Sequence, residues 1–458
     1  MKKKEPKQEM LDSLGTTLPG LLDLGYAQKG AEAEERSLWE QAMKLKNREV
    51  SLDELLEAAD RLVDVLPSTR YPLLLVKLKE KDHRVVRMMI QNEIQTLNCD
   101  AGPGAPWNVN SKSKGDVIKK YYDELVDSTF EMLLKIHNVE MSEIWNTTAE
   151  EKVELGYASP ISLFVKNEAH SRQKLETGRY RLIASLGMEQ EIILRMLLYA
   201  ANSEDIYTQQ NGNGIPFQPG MGTHDAGLLA LTARIRDTAG IAKQCDQNLV
   251  GSDVSAFDMN VVWEMVVAKV YLESQRLECD AEARELYKIF SLKVHMCLFN
   301  SVFITSKGRM FAQVDYRMQK SGSPDTAAGN SKIRAIVAVA CGSDPRVVTT
   351  MGDDCIEGVA IGTTPEELFE RYRPYFDLKE IVIHDEPNDI EFCSHLMSAN
   401  GSVVRLGIEK AIYHAISKPY NKEEWDILKN HEARYAKVDW EKVEEVLCGC
   451  GWLPANVF

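Results

Sequence analysis

Arg346-Val347-Val348-Thr349-Thr350-Met351 and Cys355-Ile356-Glu357-Gly358-Val359 flank the tripeptide Gly352-Asp353-Asp354. Runs rich in Val, Ile and Thr suit the pleated, half-buried surface of a strand, and Gly-Asp is a turn element. The pattern predicts a hairpin with two carboxylates at its tip. A second apolar strand, residues 248–254, carries Asp253 near its end, and Asp258 follows after a short turn. An acid at a strand end beside an acidic hairpin tip gathers two or three carboxylates. Alone they repel and raise one another's pKa. Two divalent cations about 4 Å apart would relieve that repulsion and would clamp the oxygens of a phosphoryl transfer. Mg²⁺ takes oxygen ligands, so no His or Cys is needed nearby.

The rest of the chain reads as mostly helical. Ser51-Leu52-Asp53-Glu54 is a capping box ahead of Leu55, Leu56, Ala59, Leu62 and Val63 at helical spacing. Helices are also expected over 116–137, 188–201, 261–274, 333–341, 409–417, 423–430 and 440–448. Gly102-Pro103-Gly104-Ala105-Pro106-Trp107 reads as a rigid loop. Many helices around a small sheet make a helix-rich α+β fold. No apolar run approaches the roughly 18 residues of a membrane span, and Lys2-Lys3-Lys4 is followed by no secretory core. Nine cysteines, none in a C-x-x-C pair, read as reduced thiols, a spacing that disfavours zinc.

Charge adds a constraint. Asp plus Glu outnumber Lys plus Arg by 69 to 54, a net −15. Such a chain does not package nucleic acid by bulk charge, yet a local basic groove remains open to it. Residues 166–181 hold five Lys/Arg against two Glu, in no helical period and with Gly178 inside. A solvated face is the usual reading of such a run. Here a basic β-ribbon over a phosphate channel fits better. Ser321-Gly322-Ser323-Pro324-Asp325-Thr326, ahead of Asn330, is a loop of small residues entering an apolar helix. It suits close approach to a nucleotide and hydrogen bonds to a ribose. No G-x4-G-K-[ST] occurs, and Gly212-x-Gly214 lacks a third glycine, which disfavours an NTPase or dinucleotide loop.

Taken in order, the basic run, Asp-x4-Asp, Ser-Gly-x3-Thr-x3-Asn and Gly-Asp-Asp resemble motifs F, A, B and C of RNA-dependent RNA polymerases of positive-strand viruses. The resemblance runs from about Gly102 to His395. Lys-x-Glu-x7-Gly-Arg-x-Arg-Leu-Ile is picornavirus-like in spacing, and Glu391-Phe392-Cys393-Ser394-His395 resembles motif E of the sobemovirus, polerovirus and barnavirus group. The resemblance implies a right hand of fingers, palm and thumb with a small antiparallel palm sheet. Residues 1–65 would be a helical extension joining the fingers, and 66–188 fingers with the basic ribbon at 163–185. Residues 189–262 and 313–397 would be palm, 263–312 a fingers insertion and 398–458 a small thumb.

Roles carry over position by position. Asp253 and Asp353, assisted by Asp354, resemble the ligands of two Mg²⁺ ions, with Mn²⁺ as a substitute. Asp258, Ser321 and Asn330 resemble readers of the ribose 2′-hydroxyl, supported by Thr326. Lys166, Lys174, Arg179 and Arg181 resemble the triphosphate-facing cations, and Glu168 a salt-bridged tie for the ribbon. Lys379 resembles the lysine that protonates pyrophosphate. Gly104, Pro106, Gly322 and Phe392 to His395 (Phe392, Cys393, Ser394, His395) would touch RNA. Pro324 and Asp325 depart from the small neutral residues expected, as does Ala101 from a Ser or Thr. Implied partners are RNA template, nascent RNA, NTPs, a genome-linked protein primer and other viral replication proteins. The implied setting is the host cytoplasm in membrane-associated replication complexes. The other readings are a reverse-transcriptase-like polymerase, which Asp258 and Asn330 disfavour, and a non-catalytic RNA-binding scaffold.

Overall fold

The acidic strands lie in one four-stranded antiparallel sheet. The computed structural model describes residues 5–212, 214–222, 224–384, 389–398 and 400–454, so the Lys2–Lys4 cluster lies outside the described residues. Strand order is Leu378–His384, Gln247–Val254, Asp354–Ala360, Val348–Met351. The strands Gln247–Val254 and Asp354–Ala360 meet apolar clusters on both faces, whereas the edge strand Leu378–His384 is largely exposed or half-buried. Val250, Val254, Val348, Cys355 and Val359 face the main core. Leu249 and Ile356 face a second cluster with Leu228 and Leu231 of the helix Asp225–Gln244.

On the main-core side lies the helix Thr326–Ala340, with every residue from Ala328 to Val339 buried. Alanine-rich sequence lets it approach the sheet closely, and Gly342 at φ +105° follows its end. Beneath it run Trp263–Gln275 and Ala281–Phe299. A second sheet, in the order Leu182–Ser185, Ile161–Val165, Val302–Ile304, Met310–Ala312, stands beside the Ser321 loop. The Ala184 amide donates to the Ser321 carbonyl at 2.7 Å and ties that loop to the sheet's edge.

Several expectations shift in detail. The helix expected over 116–137 is two, Lys114–Lys120 and Tyr122–Asn138, parted where Tyr121 leaves helical geometry (φ −135°, ψ 36°). The helix expected to stop at Ala201 continues to Gln210. Its polar second half is retained because Asp205 turns inward to Arg276 at 2.6 Å. The basic run is not a simple β-ribbon. Arg172–Thr177 is helical between the strands Ala169–Ser171 and Leu182–Ser185. Gly178, at φ +74°, is that helix's left-handed cap rather than a ribbon element.

The two ends of the described chain share one core. Met10, Leu14 and Leu21 pack with Ile412, Tyr413, Trp425, Val443 and Leu447. These come from the helices Glu409–Ile416, Lys422–Glu432 and Trp440–Gly449, close to the bounds expected. Leu24–Tyr26 then pairs with Ala169–Ser171, joining the amino-terminal segment to the basic run. Among the described residues no helix is long and apolar enough to cross a membrane. All nine cysteines are free.

Candidate active site

Strand alternation aims Asp253. Ser252 and Val254 are buried, so Asp253 between them faces the opposite side, where it is partly exposed. Ala256, at φ +51°, then reverses the chain into the one-turn helix Phe257–Asn260, which brings Asp258 back toward the loop at 321. Ser321 Oγ donates to Asp258 Oδ2, and Asn330 Nδ2 donates to Asp258 Oδ1 at 2.7 Å. The three residues expected to read a ribose are therefore one hydrogen-bonded group. Thr326 closes the loop on itself, donating to the carbonyls of Lys320 (2.9 Å) and Ser323 (2.8 Å).

The hairpin turns on two residues, Gly352 and Asp353, with Asp354 already paired to Met351. Gly352 has φ +65°, the left-handed first position that favours glycine in two-residue hairpins. Its amide donates to Ser331 Oγ at 2.8 Å, and Thr350 Oγ1 donates to the Ser331 carbonyl at 2.8 Å. The hairpin tip is thus held by the residue after Asn330.

Electrostatics show that the acids are gathered. Desolvation, then Asp253 and Asp258, raise the Asp353 pKa, while Arg181 lowers it. Desolvation, then Asp353 and Asp253, push Asp354 up to about 6. Such mutual repulsion is the signature of a site short of positive charge. One cation is already present: Lys379, on the strand Leu378–His384, places Nζ 2.5 Å from Asp253 Oδ2, and that bond raises the lysine pKa. Lys379 is thus strand-borne and paired, not in a solvated loop.

The basic run mirrors this crowding. Burial, then Lys410, Arg179 and Arg181, lower the Lys174 pKa. Of this run, Arg181 also acts on Asp353, whose pKa it lowers. Glu168 joins Lys166 at 2.8 Å and Arg181 at 3.9 Å, the tie expected of it. His170 Nε2, buried, accepts the Arg181 amide at 3.1 Å.

Other expected residues lie elsewhere. Asp325 is buried, not on the surface. It takes Lys269 Nζ as partner, with His295 Nε2 at 3.6 Å. That group continues through Glu273 and Lys332 (2.8 Å) toward Asp205 and Arg276. Phe392 and His395 are each 1% exposed and belong to the interior; the turn between them, Cys393-Ser394, is the accessible part. Gly104 is buried with φ +71°, and a Cβ there would meet the Leu186 carbonyl at 2.1 Å, so its need for glycine is packing. Pro106 is exposed beside it. Gly322 is exposed, and a Cβ there would meet the Ala184 carbonyl at 2.6 Å.

Ser252, Ser331 and Arg334 escaped the sequence reading. Their signal is a polar or charged residue inside an apolar run, which is retained only when it has partners.

A family model described as viral RNA-directed RNA-polymerase matches residues 27–227 and 229–375. The chain belongs to this family. It is 29% identical over 416 residues to "Protein P1-P2" of Potato leafroll virus (strain Potato/Netherlands/Wageningen/1989), covering 87% of this chain and 37% of that protein. Identity to "Replicase polyprotein P2AB" of Southern cowpea mosaic virus is 27% over 430 residues, covering 91% and 42%. "Protein P2-P3" of Poinsettia latent virus is 25% identical over 464 residues, covering 93% and 38%. The chain therefore spans about two fifths of the length of these relatives. These relatives come from poleroviruses, sobemoviruses and related viruses, and the Glu391–His395 string resembled the first two of these groups.

Proposed function

We propose that the chain is the RNA-dependent RNA polymerase of a positive-strand RNA virus, built as fingers, palm and thumb. The observation that carries the reading is the Asp258–Ser321–Asn330 group beside the carboxylates of Asp253, Asp353 and Asp354. That grouping supports a reading in which ribose selection and metal-dependent phosphoryl chemistry share one site, and family membership supports it too.

The reaction is attack of an RNA 3′-hydroxyl on the α-phosphate of an NTP, with pyrophosphate leaving. Two Mg²⁺ ions held by Asp253, Asp353 and Asp354 would activate the hydroxyl and stabilise the charge on the leaving group. The donor set fits such ions in kind: all oxygen, with the Asp354 pKa raised to about 6 by burial and then by Asp353 and Asp253. Among the described residues no three acids or His/Cys already stand in ligating geometry, so the side chains must draw together around the ions. Lys166, Lys174, Arg179 and Arg181 orient the triphosphate. Asp258, Ser321 and Asn330 accept or donate to the ribose hydroxyls; Asn330 Oδ1 is an acceptor with no partner among the described residues. Lys379, freed from Asp253, gives its proton to pyrophosphate.

Template, nascent strand and NTPs are then the ligands, and base pairing supplies sequence choice. Other viral replication proteins and a genome-linked protein primer are the proposed partners, in membrane-associated complexes of the host cytoplasm. A purified-protein assay on homopolymeric RNA with Mg²⁺ or Mn²⁺, with and without primer, tests this. Incorporation should require metal and disappear in Asp353→Ala, with the fold retained. Wild-type rates from that variant would sink the metal reading, and product without primer would count against primed initiation.

A further inference from the structure

Arg334 lies fully buried in the helix Thr326–Ala340 and forms no ion pair among the described residues. Its donors reach three separate elements. Nη2 donates to Ser252 Oγ at 2.5 Å, Nε to the Asp353 carbonyl at 3.2 Å and Nη1 to the Tyr372 hydroxyl at 2.8 Å. That hydroxyl in turn donates a hydrogen bond to Glu357 Oε1 at 2.7 Å, and Glu357 also accepts from Ser343 at 2.5 Å. The guanidinium thus meets its counter-charge only through a phenol.

For stability alone this is a poor use of a core position. Burying a charge is costly, and an apolar side chain of similar volume is often as stable or more so. What an arginine does that an apolar residue cannot is fix geometry. Its planar fork holds its acceptors at set spacing. Two of those acceptors here adjoin the proposed metal ligands, Ser252 next to Asp253 in one strand and the backbone of Asp353 in the hairpin. Metal sites tolerate displacements of only about 0.5 Å in their ligands. Ser331, three residues earlier on the same helix, holds Gly352 and steadies the same tip.

We propose that Arg334 is a positioning residue whose guanidinium holds the Asp253 strand and the Asp353 hairpin at the separation that the metal pair requires. The proposal rests on the reading of Asp253 and Asp353 as metal ligands. It assigns Arg334 no contact with substrate or metal.

The test uses the full chain and three variants, Arg334→Met, Ser252→Ala and Arg334→Lys. The second removes one acceptor only and guards against a fold lost in the first. Mn²⁺ binding to the RNA-free protein is titrated by electron paramagnetic resonance, beside thermal unfolding and the Mg²⁺ dependence of incorporation. Residues that orient metal ligands cost about 10–100-fold in metal affinity when removed. Arg334→Met should weaken Mn²⁺ binding within that range and raise the Mg²⁺ needed for half-maximal rate, with the KM for NTP little changed. Ser252→Ala should move both in the same direction by a smaller factor while melting near wild type. Arg334→Lys should not rescue, because a single nitrogen on a flexible stem lacks the planar fork whose three nitrogens reach three separate acceptors. If a folded Arg334→Met, or Ser252→Ala where the first does not fold, binds Mn²⁺ as wild type does, the positioning role is overturned while the metal site stands. Should wild type itself bind no Mn²⁺, the metal reading falls and this proposal falls with it.

Discussion

At Asp258 a single carboxylate accepts from two side chains that lie 9 residues apart on the far side of a loop, Ser321 and Asn330. Hydrogen bonds to a charged group contribute roughly 1.5–3 kcal/mol, so replacing Asp258 by Ala should cost about tenfold or more in preference for NTP over dNTP. Competing incorporation of the two nucleotides measures it; an unchanged ratio would remove Asp258 from sugar selection. The same carboxylate was legible in the sequence because Asp-x4-Asp has a fixed spacing and the loop after it has a fixed composition. Asp325 was legible only as an anomaly. Nothing along the chain announces that Lys269, 56 residues earlier, comes to meet it. Phe392 and His395 matched a motif by type, yet burial, which depends on the neighbouring sheet and helices, turned both inward.

Segments show where local signals hold and where they give way. Hairpin and strand were readable because β-branched runs and a Gly-Asp turn agree with the fold around them. The basic run was not, since helix Arg172–Thr177 is too short to show a period, and its capping glycine reads equally as a ribbon kink. Gly322→Ala places a methyl 2.6 Å from the Ala184 carbonyl at φ +129°. It should destabilise the protein by about 1–3 kcal/mol and slow incorporation, read by thermal melting and steady-state kinetics. In the basic run, His170 is neutral in its acceptor role, and burial lowers its pKa below the ordinary 6.5, against Glu168, which raises it, and with Lys174 and Lys410, which lower it. A depressed histidine pKa means the folded state binds protons less readily than the unfolded chain. Its contribution is therefore complete above pH 6.5 and falls away as pH drops below it. Amide exchange at Arg181 should accelerate between pH 7.5 and 5.5 beyond the intrinsic rate change, and His170→Gln should flatten that excess.

Over the whole molecule, two long-range arrangements carry stability. The buried cluster of Lys269, Asp325, Glu273, Lys332, Asp205 and Arg276 joins the helix Trp263–Gln275 to the helices Thr326–Ala340 and Met188–Gln210. Removing one partner of a buried pair costs about 3–5 kcal/mol, so Lys269→Met should melt well below wild type, and Lys269→Met with Asp325→Leu should recover much of the loss. Equal melting of the single and double variants would contradict that balance. The shared core of the two ends makes a second prediction. Leu14 is fully buried against the carboxy-terminal helices, and Leu14→Ala should cost about 2–5 kcal/mol and loosen exchange protection in Trp440–Gly449.

By itself the sequence determined the kinds of residue that do chemistry and their order: acids at strand ends, small residues in a loop, cations in a run. These follow from local propensity and from the rule that a turn or strand end exposes what it carries. Tertiary structure alone decided which of them meet. Ser321 reaches Asp258 because the Ala184 strand holds the loop, Lys379 reaches Asp253 because a break in register between Leu378 and Glu380 sets it beside the neighbouring strand, and Arg334 reaches both a strand and the hairpin because a helix crosses beneath them. Contacts between residues dozens of positions apart depend on packing geometry, which no local pattern records.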